Sequence, residues 1–191
     1  GSWVVESLAR SGVGTLTLID LDHVSESNIN RQIQAMSSTI GQSKIEAMAE
    51  RIREINPDCE LRLIDEHLSN DNIEQLIDRE FSYVVDCIDD FRTKAALINY
   101  CHRKKQKLLT VGGAGGRIDP SRIQVVDLTR SEGDALLSRT RKLLRTDFNF
   151  PRNIKRRFDI PCVFSAEALR YPTADAGVTY KKEQSDTTGG L

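Results

Sequence analysis

The chain has four cysteines and no Cys-x-x-Cys pair among them: Cys59, Cys87, Cys101 and Cys162 are scattered along 191 residues. That spacing offers no ligand set for a structural zinc site, and it reads as free thiols in a reducing, cytoplasmic compartment. The three histidines, His23, His67 and His102, are equally isolated, and none is assigned a role. No hydrophobic run approaches membrane-spanning length, and no secretory leader is visible. There is also no excess of charge of one sign. A formal charge of −1 excludes a uniformly basic nucleic-acid binder and leaves only local basic patches for such contacts. No internal repeat or low-complexity segment appears, although 181–191 is polar, Gly-ended and loose in character.

What remains is a composition of 39% hydrophobic and 29% charged residues, enough for one α/β domain over 1–180 with a sizeable core. Val5, Leu8 and Ala9 have helical spacing in Ser2–Arg10, and Gly12 stops that helix. A strand is expected over 15–20, a loop entering a short helix over 28–35, and a longer helix over 41–55 before Asn56-Pro57. A strand at 59–65, a helix at 70–77, a buried strand at 82–88, a helix at 93–104 and a strand at 108–111 follow. This alternation means βαβ units and a mostly parallel sheet, with ligands at the carboxyl ends of the strands. Beyond Gly116 the rhythm changes: a strand at 123–128, a helix at 134–145, a basic loop over 149–157 and a strand at 162–164 read as an appended antiparallel region.

Two strand ends carry the chemistry. The first run ends in Asp20-Leu21-Asp22 and leads to Asn28, Arg31 and Gln32, with Lys44 following Gly41. The second ends in Asp86-Cys87-Ile88-Asp89-Asp90. A carboxylate at Asp20 suits ribose hydroxyls, and Arg31 and Lys44 suit phosphate oxygens, Arg31 as a two-toothed fork. Asp89 suits the Mg2+ that so charged a ligand brings. Together these read as an ATP site. Asp86 reads as a scaffold residue, Asp90 and Arg92 as helix-start residues, and Cys162, among Pro161, Val163 and Phe164, as an inert buried thiol. The Gly112 to Gly116 run directly after a strand permits close backbone approach, here to a substrate carboxylate.

This order of motifs, Asp-x-Asp, Ser-Asn-x-x-Arg-Gln, Gly-x-x-Lys and Asp-x-x-Asp, resembles the E1-like adenylating superfamily. The stretches 110–125 and 162–172 are similar to one branch, the tRNA threonylcarbamoyladenosine dehydratases. The resemblance implies a Rossmann-like E1/ThiF adenylation fold and an ATP- and Mg2+-dependent enzyme. Such an enzyme cyclises N6-threonylcarbamoyladenosine at position 37 of ANN-decoding tRNA, after adenylating the threonine carboxylate. It implies nucleotide contacts from Gly1, Ser2, Asp20, Asp22, Asn28, Arg31, Gln32 and Lys44, catalysis by Arg31, Lys44 and Asp89, and metal binding by Asp89. It also implies that Gly1-Ser2 closes a glycine-rich phosphate loop lying upstream, that an apolar membrane-associating segment lies downstream, and that these 191 residues alone are inactive. A homodimer and a sulfur-transfer or carrier protein are the implied further partners.

Arg139, Arg141, Lys142, Arg145, Arg152, Lys155, Arg156 and Arg157 crowd one stretch against a single acid, Asp147. Such a run is either a solvated face or a phosphate track for tRNA. Two other functions share parts of the pattern. Activation of a ubiquitin-like or sulfur-carrier protein predicts zinc cysteines and a transfer cysteine. A nicotinamide-binding or non-catalytic Rossmann domain leaves Arg31, Lys44 and Asp89 without explanation.

Overall fold

The computed structural model describes residues 1–77, 81–173 and 177–180. The chain folds as two compact units, Gly1–Asp78 and Arg79–Leu191.

In the first unit, helix α1 (Ser2–Arg10) leads through Gly12 in the left-handed region, at φ +77°, into strand β1 (Thr15–Ile19). Helix α2 (Lys44–Ile55) returns the chain to β2 (Glu60–Ile64), which pairs parallel with β1, Thr15 opposite Glu60 and Ile19 opposite Ile64. A single turn, α3 (Ile73–Leu76), follows. The core is built from the inner faces of these pieces: Ala9, Leu16, Leu18, Ile45, Met48, Ile52 and Cys59. In α2 the buried positions Ile45, Met48, Ala49 and Ile52 recur at helical spacing, so its acids and bases face out. Glu6 is an exception, buried in α1 and answered by Arg10 and Arg51 at 2.6 and 3.1 Å.

Two expectations shift here. The helix expected over 41–55 begins at Lys44, because Gly41 has φ +85° and Ser43 is the N-cap. The helix expected within 28–35 is absent. A 3₁₀ turn, Glu26–Asn28, and further turns replace it, because the Asn28 side-chain oxygen reaches back to accept the Ser25 N–H at 3.2 Å, as Asn does where local bonding outcompetes helix.

In the second unit β3 (Val84–Asp86), α4 (Phe91–Lys104) and β4 (Leu108–Val111) form a βαβ unit. Strand β5 (Ile123–Asp127) and helix α5 (Ala135–Asp147) precede β6 (Pro161–Ser165), and two short strands, β7 (Tyr171–Pro172) and β8 (Val178–Thr179), pair with each other. The main sheet has the order β3-β4-β6-β5, the first three parallel and β5 antiparallel on the edge. The expected parallel sheet with an antiparallel addition is therefore present. No helix among the described residues is long and apolar enough to cross a membrane. The polar segment 181–191 lies outside the described residues.

Candidate functional site

The exit of β1 is laced to the start of α2. Asp20 donates its N–H to the Ile64 carbonyl at 3.3 Å, and its carboxylate accepts the Asp22 N–H at 3.0 Å, closing a tight turn. Asp22 then meets Lys44 twice: its carbonyl accepts the Lys44 N–H at 2.9 Å and its carboxylate the ammonium at 2.6 Å. The Val24 N–H donates to Gln42 and the Gly41 N–H to Val24, both at 2.8 Å, so 20–25 and 41–44 move as one piece. Lys44 is mostly buried along its stem while Asp22 is exposed, which aims the ammonium at the surface where the strand ends.

The other nucleotide candidates lie in the neighbouring turns. Arg31 is exposed, and its guanidinium donates to the Ser27 carbonyl at 2.8 Å and to Asn30 at 3.0 Å. These bonds present the fork outward from a fixed turn. The Arg31 carbonyl accepts the Trp3 indole N–H at 3.0 Å, and the Ser2 hydroxyl accepts the Ile33 N–H at 3.2 Å. The amino end of α1, where Gly1 is the N-cap, is thereby fastened beside Arg31. Asn28 is buried and its oxygen is committed to Ser25, so it shapes the turn. Gln32 accepts the Gln34 side-chain N–H at 2.9 Å.

In the second unit Asp86, at the end of β3, is buried and paired with Lys94 of α4 at 2.8 Å, both side chains without exposed surface. Lys94 also donates to Thr110 at 3.2 Å and to the Val111 carbonyl at 3.0 Å, and Thr110 donates to Asp86 at 2.7 Å. Asp86 accepts the Ile88 N–H at 3.0 Å. The scaffold role expected of Asp86 is thus observed, with a partner that helical periodicity hid: Lys94 follows the α4 start as an ordinary surface lysine would. Asp90 caps α4 by accepting the Thr93 N–H at 2.8 Å, and that bond holds its carboxyl below the ordinary range. Asp89 is exposed between these two engaged acids.

No trio of His, Cys, Asp or Glu gathers among the described residues in a way that could hold a metal alone. A single exposed carboxylate fits a magnesium ion that arrives with a nucleotide, since magnesium keeps waters and phosphate oxygens as its other ligands.

The glycine-rich segment is more constrained than the sequence suggested. Gly112 donates its N–H to Val163 and Gly113 to the Asp134 carboxylate, each at 2.8 Å. Arg117 bonds the Gly113, Ser165 and Glu167 carbonyls at 3.0, 2.6 and 2.7 Å, and buried Glu167 accepts the Ile118 and Asp119 N–H groups at 3.0 Å. The Ile118 N–H, with the Asp119 N–H and the Ser165 hydroxyl, keeps the Glu167 carboxyl below its ordinary range. Only the exposed 114–116 stretch is left to face a ligand. No periodicity marks Arg117 and Glu167. The signal was an arginine directly after the glycine run and a lone acid, Glu167, two residues past the apolar strand β6.

Cys162 is buried, and burial pushes its thiol up to about 11, in keeping with an inert group. The basic run divides. Arg141 donates to the Ser131 hydroxyl, Arg145 bonds the Pro151 carbonyl at 3.3 Å and lies over Phe158, and Arg157 faces Asp127 and Asp159 at 3.7 and 3.5 Å. Arg139, Lys142, Arg152, Lys155 and Arg156 are exposed.

Asp20 and the Asp22–Lys44 pair follow β1 of the first unit's parallel pair, Asp89 follows β3 of the second unit's sheet, and the order of these residues is that of an adenylating domain of the ThiF type; the model described as the ThiF family matches residues 1–140. The chain is 50% identical over 177 residues to the tRNA threonylcarbamoyladenosine dehydratase of Haemophilus influenzae, covering 93% of this chain and 68% of that relative. A crystal structure of Escherichia coli tRNA N6-threonylcarbamoyladenosine dehydratase, TcdA, in complex with ATP is similar at a TM-score of 0.87 and 50% identity, over 90% of this chain and 71% of that one. The molybdopterin-synthase adenylyltransferase of Salmonella typhimurium is 34% identical over 62% of this chain and 47% of its own length. The chain belongs to the ThiF family and, within it, to the tRNA threonylcarbamoyladenosine dehydratases.

Proposed function

We propose that this protein uses ATP to adenylate the threonine carboxylate of N6-threonylcarbamoyladenosine in tRNA. The observation that supports this reading over its rivals is the 50% identity to a dehydratase along 93% of the chain, against 34% along 62% for an adenylyltransferase that serves molybdopterin synthase. In the reaction a carboxylate oxygen attacks the α-phosphorus and pyrophosphate leaves. A nucleophile within the modified base then attacks the acyl carbon, loses its proton, and expels AMP. Water is lost overall in a ring closure that needs no protein nucleophile, which agrees with the burial of Cys162.

The protein's contribution is position and charge. Asp20, fixed by its turn, orients the ribose. Lys44, aimed by Asp22, and Arg31, carried on the Trp3-braced turn, neutralise phosphate charge. Ser2, next to the N-cap Gly1 of α1, is bonded to Ile33, and Gln32 follows Arg31 in the turn that Asn28 shapes. Asp89 would hold magnesium, which offsets charge on the leaving pyrophosphate. The test is ATP–pyrophosphate exchange with the intact protein, comparing tRNA that carries the modification, the same tRNA without it, and a sulfur-carrier protein. Exchange stimulated by the modified tRNA alone is expected, and stimulation by the carrier would replace this reading with the second one.

A further inference from the structure

The net charge of −1 conceals a strong segregation. Acids outnumber bases fourteen to six in Gly1–Asp78, whereas bases outnumber acids twenty-one to fourteen in Arg79–Leu191, which accounts for the chain's 27 bases and 28 acids. Within the second unit the bases gather on two packed helices. From Phe91 to Lys105 and from Ala135 to Asp147 the bases are Arg92, Lys94, Arg103, Lys104, Lys105, Arg139, Arg141, Lys142 and Arg145, and the acid is Asp147 alone. A merely solvated helix mixes both signs, often at i,i+3 or i,i+4 spacing. Helix α2 of this same chain does so, with Lys44, Arg51 and Arg53 against Glu46, Glu50 and Glu54.

The geometry narrows this to one band. Arg92 of α4 and Arg139 of α5 both place their guanidinium over the Phe91 ring, at 5.2 and 5.9 Å from its centre. Two exposed cations therefore converge where α4 begins, two to three residues after Asp89, with the helix-capping Asp90 as the acid beside them. Lys142 follows Arg139 by one turn of α5. Arg103 lies eleven residues after Arg92, on nearly the same side of α4 and about 16 Å along it, and Lys105 follows. Arg103 and Lys105 also suit the helix C-terminus, but Arg92, Arg139 and Lys142 are too far from either C-terminus for the macrodipole to explain them. Neither helix exposes a large apolar side chain. A bilayer-surface binder needs such side chains to insert, whereas a phosphate track does not.

We propose that the shared outer face of α4 and α5 is an RNA backbone surface, with Arg92, Arg139 and Lys142 at the end nearest Asp89 and Arg103 and Lys105 continuing it. This rests on the tRNA reading above and revises the contact set: Arg141 and Arg145 of the basic run are committed to the scaffold, Arg157 faces Asp127 and Asp159, and Arg92, Arg103 and Lys105 lie outside that run altogether.

The experiment measures binding of the intact protein to tRNA against salt concentration. The variant Arg92→Gln/Arg139→Gln/Lys142→Gln should lower the slope of log K on log salt by about two to three and weaken binding at least roughly tenfold near 0.15 M salt. Arg53→Gln, an exposed position in the first unit, should leave the slope as it is. A triple variant that binds tRNA with the wild-type slope overturns the band and leaves the tRNA reading standing. A wild-type protein that ignores tRNA but binds phosphatidylserine vesicles, and loses them in the triple variant, overturns both.

Discussion

Lys94 has no exposed surface, and its ammonium serves Asp86, Thr110 and the Val111 carbonyl at once. A buried ion pair is a weak source of stability against a well-packed apolar pair, but breaking it from one side leaves a charge with no water and no partner. Lys94→Met should therefore cost about 3–5 kcal/mol, read as loss of melting temperature, and Lys94→Met/Asp86→Leu should recover more than half of it. A single variant as stable as wild type would mean that water enters and relieves Asp86. Asp89 is the contrasting acid, exposed and three residues away. Asp89→Asn should abolish magnesium-dependent AMP formation and leave the melting temperature unchanged, and normal AMP formation would remove it from the metal. Asp86 was legible in the sequence as a scaffold acid, although β3 ends there and strand periodicity does not extend to Asp89. The identity of the buried partner was not, since nothing local distinguishes Lys94 from a surface lysine.

At the scale of elements, the sequence was legible wherever one face is apolar and a cap residue closes the end. Ser2–Arg10 and Leu108–Val111 lie where periodicity puts them; β1 and β5 stop one residue short, β2 loses one residue and β3 two at each end, and β6 gains one at each end. Turns replace the helix expected within 28–35 because polar side chains there bond nearby backbone, a competition that hydrophobic spacing does not register. The sequence presents the glycine run as backbone that a ligand can approach closely, and it does not show that Asp134, Arg117 and Glu167 hold that backbone from elements distant in sequence. Gly116 shows how tightly. It sits at φ +70°, and a β-carbon there would lie 2.5 Å from the Arg170 carbonyl oxygen. Gly116→Ala adds a left-handed strain of about 1 kcal/mol to a backbone clash that no rotamer relieves. A clear fall in melting temperature is expected, together with lost exchange activity if 114–116 faces the substrate carboxylate. An alanine variant with wild-type stability and activity would show that the segment adapts freely.

On the scale of the whole molecule, each unit contains a buried carboxylate whose charge the fold protects. Burial pushes Glu6 up, but Arg10 and Arg51 outweigh it and leave its carboxyl below the ordinary 4.5. Burial likewise pushes Asp127 up, and the Thr129 side chain, with the Thr129, Phe158 and Asp159 N–H groups, brings it below 3.8. Both groups titrate lower when folded than unfolded. Each therefore contributes stability that is complete above its unfolded value and disappears as pH falls through the folded one. Acid should loosen the first unit below about pH 4.5 and the second below about pH 3.8. Comparing thermal melts of wild type and Glu6→Gln/Asp127→Asn at about pH 6 and about pH 3 isolates this linkage, because the amides keep hydrogen bonding but do not titrate. The variant should start lower at the higher pH and lose less on acidification. Parallel losses in the two proteins would place the acid sensitivity in other carboxylates, among them the exposed acids that crowd the first unit, and would leave Glu6 and Asp127 as packing residues only.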